Sequence, residues 1–427
     1  MNIKKICKIL GTTTAMLSAV ILAGIINNSP VYAAENNLES NPAENITSSS
    51  AVSVNQVIKK DYKIDVNTSI EKQGFKLTIK NVTATKHNLK VVASIEGNKL
   101  SDYYKDLSRD AILQMTVKNT ESRSTDLISK KINDNTLEFT FNIESLKDFP
   151  DNIELRFDAL LPQFDLNGWV NTKVDISKYF DKTYSEDIEF EMGENNFYKV
   201  ESNVLGTYLY YKENRDNEYS SDEDRTWDSE SKLLIKYNDK FYEADRDGSF
   251  IDYSDHSICG YYSTNMINID DLELNNSLSV IPIQCNIKNK EVENIFDSRT
   301  QIEEECEYSN VKYNKEYKFA DGSKGIVSKV ERDDNKVKMY FSAPSEKDSL
   351  LMALSMDAYY DHNKDEFDSY NNSRDIKKII YKNPDNKSEY IVEFDNVLDN
   401  KKVVIHADDI VFSNNDKFEM GKEIKIK

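Results

Sequence analysis

The stretch DHSIC places His256 three residues before Cys259, the residue types that a thiolate nucleophile and its imidazole base would need. On a strand, however, residues three apart point to opposite faces, and a cysteine amid Ile258 and Tyr261 reads as a core or disulfide residue. A second candidate is DHNKDEFDSYN, residues 361–371, where Asp361, Asn363 and Asp365 have the spacing that brings oxygens to one calcium ion. The match then breaks. Glu366 stands where the loop needs glycine, and Asn372 where a bidentate glutamate should close it. A solvated hairpin tip accounts for the same residues, so these three are weak calcium candidates and no metal site is assigned.

Other reactive groups give less. EADRDGSFIDYSD, residues 243–255, offers Asp245, Asp247 and Gly248, and Asp-Gly is an ordinary tight-turn pair. The neighbouring acidic run SSDEDRTWDSES, residues 220–231, reads as an exposed loop. Glycoside hydrolysis needs one separated carboxylate pair in a cleft, which abundance of acids does not supply. No glycine-rich phosphate loop, CxxC spacing or two-histidine motif is present. Catalytic and cofactor residues are therefore expected to be none, and the chain is expected not to be an enzyme. Two tryptophans could stack on a sugar if exposed. Trp169, in the strand pattern LNGWVNTKVDI, is expected to be packed; Trp227, among charges in DRTWDSE, is the better exposed candidate. The pairs Tyr210–Tyr211, Tyr261–Tyr262 and Tyr359–Tyr360 put one ring on each sheet face, so half of them should be available for contacts.

The chain opens with Lys4, Lys5 and Lys8, then an apolar run from Ala15 to Ile26, then Val31-Tyr32-Ala33. This is the layout of a secretory signal peptide spanning residues 1–33, with an apolar run too short to cross a bilayer comfortably; an uncleaved anchor is the alternative. Its removal takes three lysines and no acid, so the formal charge moves from −20 to −23. Such acidity argues against nucleic acid as a partner, because basic clusters are needed to displace counterions from phosphates. Beyond the leader the cysteines are Cys259, Cys285 and Cys306, which allow at most one internal disulfide and do not say which. The chain ends in KEIKIK without a sortase signal, so release, or non-covalent retention at the cell wall, is the expected fate.

The elements that must position these residues are strands. Residues 34–58 are rich in Asn, Ser and Glu and are expected to be a flexible leader. From Lys59 onward, runs of Val, Ile, Tyr and Phe alternate with polar residues between Asn, Asp and Gly clusters, the period-two pattern of half-buried strands. The pattern recurs: FKLTIKNVTATKHNLKVVAS (75–94) aligns without gaps on SKGIVSKVERDDNKVKMYFS (323–342), and MGENNFYKVESNVLGTYLYYKE (192–213) is a looser copy. Gly74, Gly193 and Gly322 head the three copies. A repeat of about 110 residues with about seven short strands is the size of an immunoglobulin-like sandwich. The expected fold is all-β: three tandem immunoglobulin-like β-sandwich domains, each with its own core, at residues 59–183, 184–298 and 311–427, with a linker at 299–310. SEKDSLLMALSMDAYYDHN alternates at Met352, Leu354, Met356 and Ala358, and is read as a strand although Ser345 could cap a helix.

The order of KKDYKIDVNTSIEKQGFKLTIKNVTATKHNLKVVAS, DFPDNIELRFDAL, LNGWVNTKVDISKYFDKTYSED and NVLGTYLYYK resembles the extracellular domain-of-unknown-function family four-one-seven-nine. Residues 308–427, ending GKEIKIK, resemble the β-domain that accompanies it. The resemblance implies exported β-domains of Gram-positive bacteria. Many members carry a cytoplasmic anti-sigma-like segment and one membrane helix, which a signal peptide replaces here. It implies no catalytic residues. The expectation is a secreted, non-enzymatic protein that binds or senses an envelope or extracellular ligand, with no transmembrane helix in the mature chain. A carboxylate-based extracellular hydrolase and a calcium-rigidified spacer or adhesin are the alternatives.

Overall fold

The computed structural model describes residues 60–427 except 99, 101–110, 146, 214–225, 228–229, 253–256, 274–276, 299–300, 307–310, 334, 361–375 and 399–401. The expected signal peptide and leader, the calcium candidates Asp361, Asn363 and Asp365, and His256 lie outside the described residues. The fold is all-β, with several sheets packed face to face.

The first unit contains β1 (Ile64–Lys72), β2 (Phe75–Ala84), β3 (Asn88–Glu96), β4 (Ile112–Val117), β5 (Ser122–Asn133), β6 (Thr136–Ser145), β7 (Asn152–Leu161) and β8 (Leu166–Asp175). They form a five-stranded sheet, β1-β2-β3-β6-β5, and a three-stranded sheet, β4-β7-β8. Alternate residues point inward, so Leu77, Ile79, Val91, Phe139 and Phe141 of one sheet meet Met115, Leu155, Phe157 and Val170 of the other. Full burial of each such side chain contributes about 1.5–3 kcal/mol, and the alternation of greasy and wet residues is what makes both faces usable.

The second segment runs through β9 (Thr183–Met192), β10 (Asn195–Asn203), β11 (Thr207–Glu213), β12 (Lys232–Tyr237), β13 (Lys240–Asp252), β14 (Ser257–Thr264), α1 (Ile269–Glu273), β15 (Leu278–Cys285) and α2 (Asn289–Ser298). The third runs through β16 (Gln301–Cys306), β17 (Val311–Lys318), β18 (Lys324–Asp333), β19 (Lys336–Ser342), α3 (Glu346–Leu354), β20 (Met356–Tyr360), β21 (Lys377–Lys382), β22 (Tyr390–Asp395), β23 (Val403–Asp408), α4 (Asp409–Ser413), β24 (Phe418–Met420) and β25 (Ile424–Lys425).

The three aligned copies are the same object. Each is a meander of three antiparallel strands, β1-β2-β3, β9-β10-β11 and β17-β18-β19. Gly74, Gly193 and Gly322 sit at the first turns with φ of 82°, 62° and 82°. That left-handed conformation costs a side chain strain, and at Gly74 and Gly322 the surrounding space is otherwise open. The second strand of each meander also shifts register just downstream, between Ile79 and Asn81, Phe197 and Lys199, and Val327 and Lys329.

The expectation of a separate core for each segment does not hold for the last two. One continuous sheet crosses both, joined where Lys240 and Phe241 of β13 pair with Tyr381 and Ile380 of β21. Leu234, Phe241, Ile281 and Ile283 share a core with Met339, Phe341, Leu351 and Phe394. The tail returns as β24 and β25 to pair with β15. Where a linker was expected at 299–310, Gln301–Cys306 pairs with β23 along its length.

The segment read as a strand from Ser345 is helix α3. Ser345 accepts a hydrogen bond from the Asp348 N–H at 3.1 Å, and residues 348–354 are all buried. A helix buried on every side carries no polar stripe, so its sequence has no helical period to read. The strand resumes as expected at Met356 and Ala358.

Candidate binding face

Strand alternation leaves the outer side of β4-β7-β8 facing solvent, and the register fixes what lies there. Ile112 is opposite Leu160, Gln114 opposite Asp158, and Thr116 opposite Arg156. Across the other ladder Asp158 is opposite Trp169, Arg156 opposite Asn171, Glu154 opposite Lys173, and Leu160 opposite Asn167. Trp169 is 48 % exposed, which reverses the expectation that it is packed. Its strand reads hydrophobic to the eye, but position 169 falls between the buried Gly168 and Val170 and so points outward. Trp227, the expected exposed ring, packs against the shared core, and its backbone N–H donates to Ile287 O at 2.7 Å.

The ring is held. Arg156 Cζ lies 5.1 Å from the Trp169 ring centre, and the guanidinium is fixed in turn by Asp158, with Nε to Oδ2 at 2.8 Å and a terminal NH2 to Oδ1 at 2.6 Å. Charge therefore cancels beside the ring, and the exposed amides of Gln114, Asn167 and Asn171 supply neutral donors and acceptors around it. Ile112, 49 % exposed, adds an apolar margin. An apolar ring edged by neutral hydrogen-bonding groups suits a ligand with one apolar face and many hydroxyls.

The other candidates fall differently. Asp245 and Asp247 lie within β13 rather than in a turn, and the register shift between Asp247 and Ser249 makes the Asp-Gly pair a bulge. Cys259 is half-buried on β14 and Cys285 is buried on β15, with no disulfide joining them; nothing is described of the Cys306 side chain. Each tyrosine pair does split across a sheet, with Tyr211 and Tyr262 in a core. The outward Tyr261 is nonetheless only 5 % exposed, because the first unit covers it. Among the described residues no three His, Cys, Asp or Glu side chains converge as a metal-holding group, and no helix is long and apolar enough to cross a membrane.

A polar cleft of about 440 Å³ is lined by Lys236, Asn238, Asp239, Ser279, Glu423 and Lys425. Glu423 accepts from Lys236 at 2.9 Å and from Ser279 at 2.7 Å, which hold its carboxyl below the usual range. A lowered carboxyl serves poorly as a general acid near neutrality.

No family model and no curated protein matches the chain. Among solved structures it is similar to the conserved domain protein from Bacillus anthracis, with 17% identity, a TM-score of 0.41, and coverage of 53% of this chain and 79% of that one. That likeness assigns no role.

Proposed function

We propose that this chain is a secreted, non-enzymatic protein that binds a glycan of the bacterial cell envelope through the outer face of β4-β7-β8. The observation that carries the reading is Trp169, a large aromatic ring standing in solvent at a cost that a core position would have avoided. Its guanidinium neighbour is itself tied by a carboxylate, so the ring is presented in a set orientation before any ligand arrives. The signal-like leader and the resemblance to exported β-domains support an envelope location, in the medium or held at the wall.

The test is a glycan array, with wall polymers included, probed with the full chain and with Trp169→Ala. Binding that the substitution weakens about tenfold or more supports the reading, since tenfold corresponds to about 1.4 kcal/mol of stacking. Equal binding by both proteins, or binding only to polypeptides, removes it.

A further inference from the structure

The first unit meets the rest of the chain at the outward face of β10-β11-β14, a run of tyrosines. Tyr208 and Tyr261 pack edge to face with ring centres 5.3 Å apart, and Tyr210 lies beside both. The tip of the first unit presses on them: His87 packs edge-on to Tyr210, and Glu144, at the end of β6, accepts the Tyr261 hydroxyl proton in a hydrogen bond. Glu144 is only 4 % exposed. Arg123 is its cationic neighbour, at 3.5 Å. A carboxylate so placed has given up its water for a phenol and a guanidinium.

The seam is also imperfectly mated. The Tyr210 hydroxyl and the Asn88 side-chain nitrogen are buried close together there without a well-formed hydrogen bond. Groups left in that condition weaken a contact. Elsewhere Tyr62 donates to Asp270 at 2.5 Å and packs with Val204 and Ile269, and Lys60 lies 3.7 Å from the same carboxylate. The covalent connection between the units is the short stretch between β8 and β9.

We propose that this seam is a proton-operated joint, closed when Glu144 holds a proton and loosened when Glu144 is charged. The groups around Glu144 are Arg123 from β5, Tyr261 from β14, Tyr208 from β11 and Asp247 from β13; Asp126 of β5 acts on Asp247, and farther off along the tyrosines Glu201 of β10 is paired with Lys199 at 2.7 Å. His87 lies at the edge, 3.3 Å from Asp148. Ionisation of Glu144 adds repulsion with Asp247 to a desolvation cost. Burial pushes the Glu144 carboxyl above its ordinary value and outweighs the opposing pull of Tyr261 and Arg123. Asp247 is exposed, yet the protein packed around it, and then the charges of Glu144 and Asp126, push it up to about 6 against the pull of the Ser263 hydroxyl. For a carboxyl raised in the closed state, closing takes up protons. The closed state is therefore favoured at low pH and loses ground as pH climbs from the ordinary carboxyl value through the raised one.

The experiment is small-angle scattering of the full chain at about pH 4 and about pH 8, with ionic strength matched, starting below the ordinary carboxyl value. The expected result is a larger radius of gyration at the higher pH, with Glu144→Gln compact at both. Tyr261→Phe, which removes a bond favouring the charged carboxylate, should move the midpoint upward. Identical wild-type scattering at both pH values overturns the proposal. So does a Glu144→Gln protein that expands as the wild type does, or, should that variant fail to fold, an unmoved midpoint in Tyr261→Phe.

Discussion

Lys378 of β21 places its Nζ 2.7 Å from the Glu243 carboxylate of β13, across the line where the second and third segments join. The same ammonium donates to Leu354 O at 3.1 Å and Met356 O at 3.3 Å, and reaches Asp357 at 3.1 Å. One lysine thus ties the end of α3, the start of β20 and the second segment together. Burial alone would raise the Glu243 carboxyl, but Lys378 and Lys232 hold it down at about 2.

Breaking that tie should be costly because it leaves the Glu243 carboxylate with only Lys232, at 3.4 Å, and removes the bonds to Leu354 and Met356. Lys378→Met is expected to destabilise the chain by about 3–5 kcal/mol, while the double change with Glu243→Leu should recover much of the loss. Urea unfolding of the three proteins measures this; a single variant as stable as the double would contradict it.

The pH dependence of this pair has the opposite sign to that of the Glu144 seam. A carboxyl depressed on folding contributes stability that is present above its ordinary value of 4.5, and loses it as pH falls toward about 2. Acid titration followed by circular dichroism should therefore show the wild type losing stability across that window. Glu243→Gln should be weaker at neutral pH and flatter below it.

The shared core makes a calorimetric prediction. Phe241, 4 % exposed, lies where β13 meets β21. Phe241→Ala should cost about 3–5 kcal/mol and lower one transition that carries both later segments, leaving the first unit's melting in place. Separate melting of the second and third segments would contradict the fused core.

The α3 cap gives a smaller, sharper test. Ser345→Ala removes the acceptor for the Asp348 N–H and should cost about 1 kcal/mol. Ser345→Asp, which restores an acceptor, should recover most of it in the same melting assay.

Strand content, the repeated meander and its glycine turns were legible because alternation and left-handed turns are local properties. Ser345–Leu354 was not, because full burial erases the period on which a helix is recognised. The fusion of the later segments was not, because β13 with β21 and β15 with β25 are pairings between distant stretches that each look complete alone. The tryptophans were transposed for a related reason. Charged neighbours in sequence made Trp227 look wet, yet its ring is packed against the shared core, while one step of strand parity turns Trp169 outward.

The binding claim comes down to one ring, and the chain's two tryptophans let it be observed alone. In Trp227→Phe all tryptophan emission comes from Trp169, and titration with purified cell-wall glycan should shift that emission to the blue, saturating with the amount bound. Glycan that binds the protein while leaving the Trp169 emission unmoved, or no binding at all, would contradict the account.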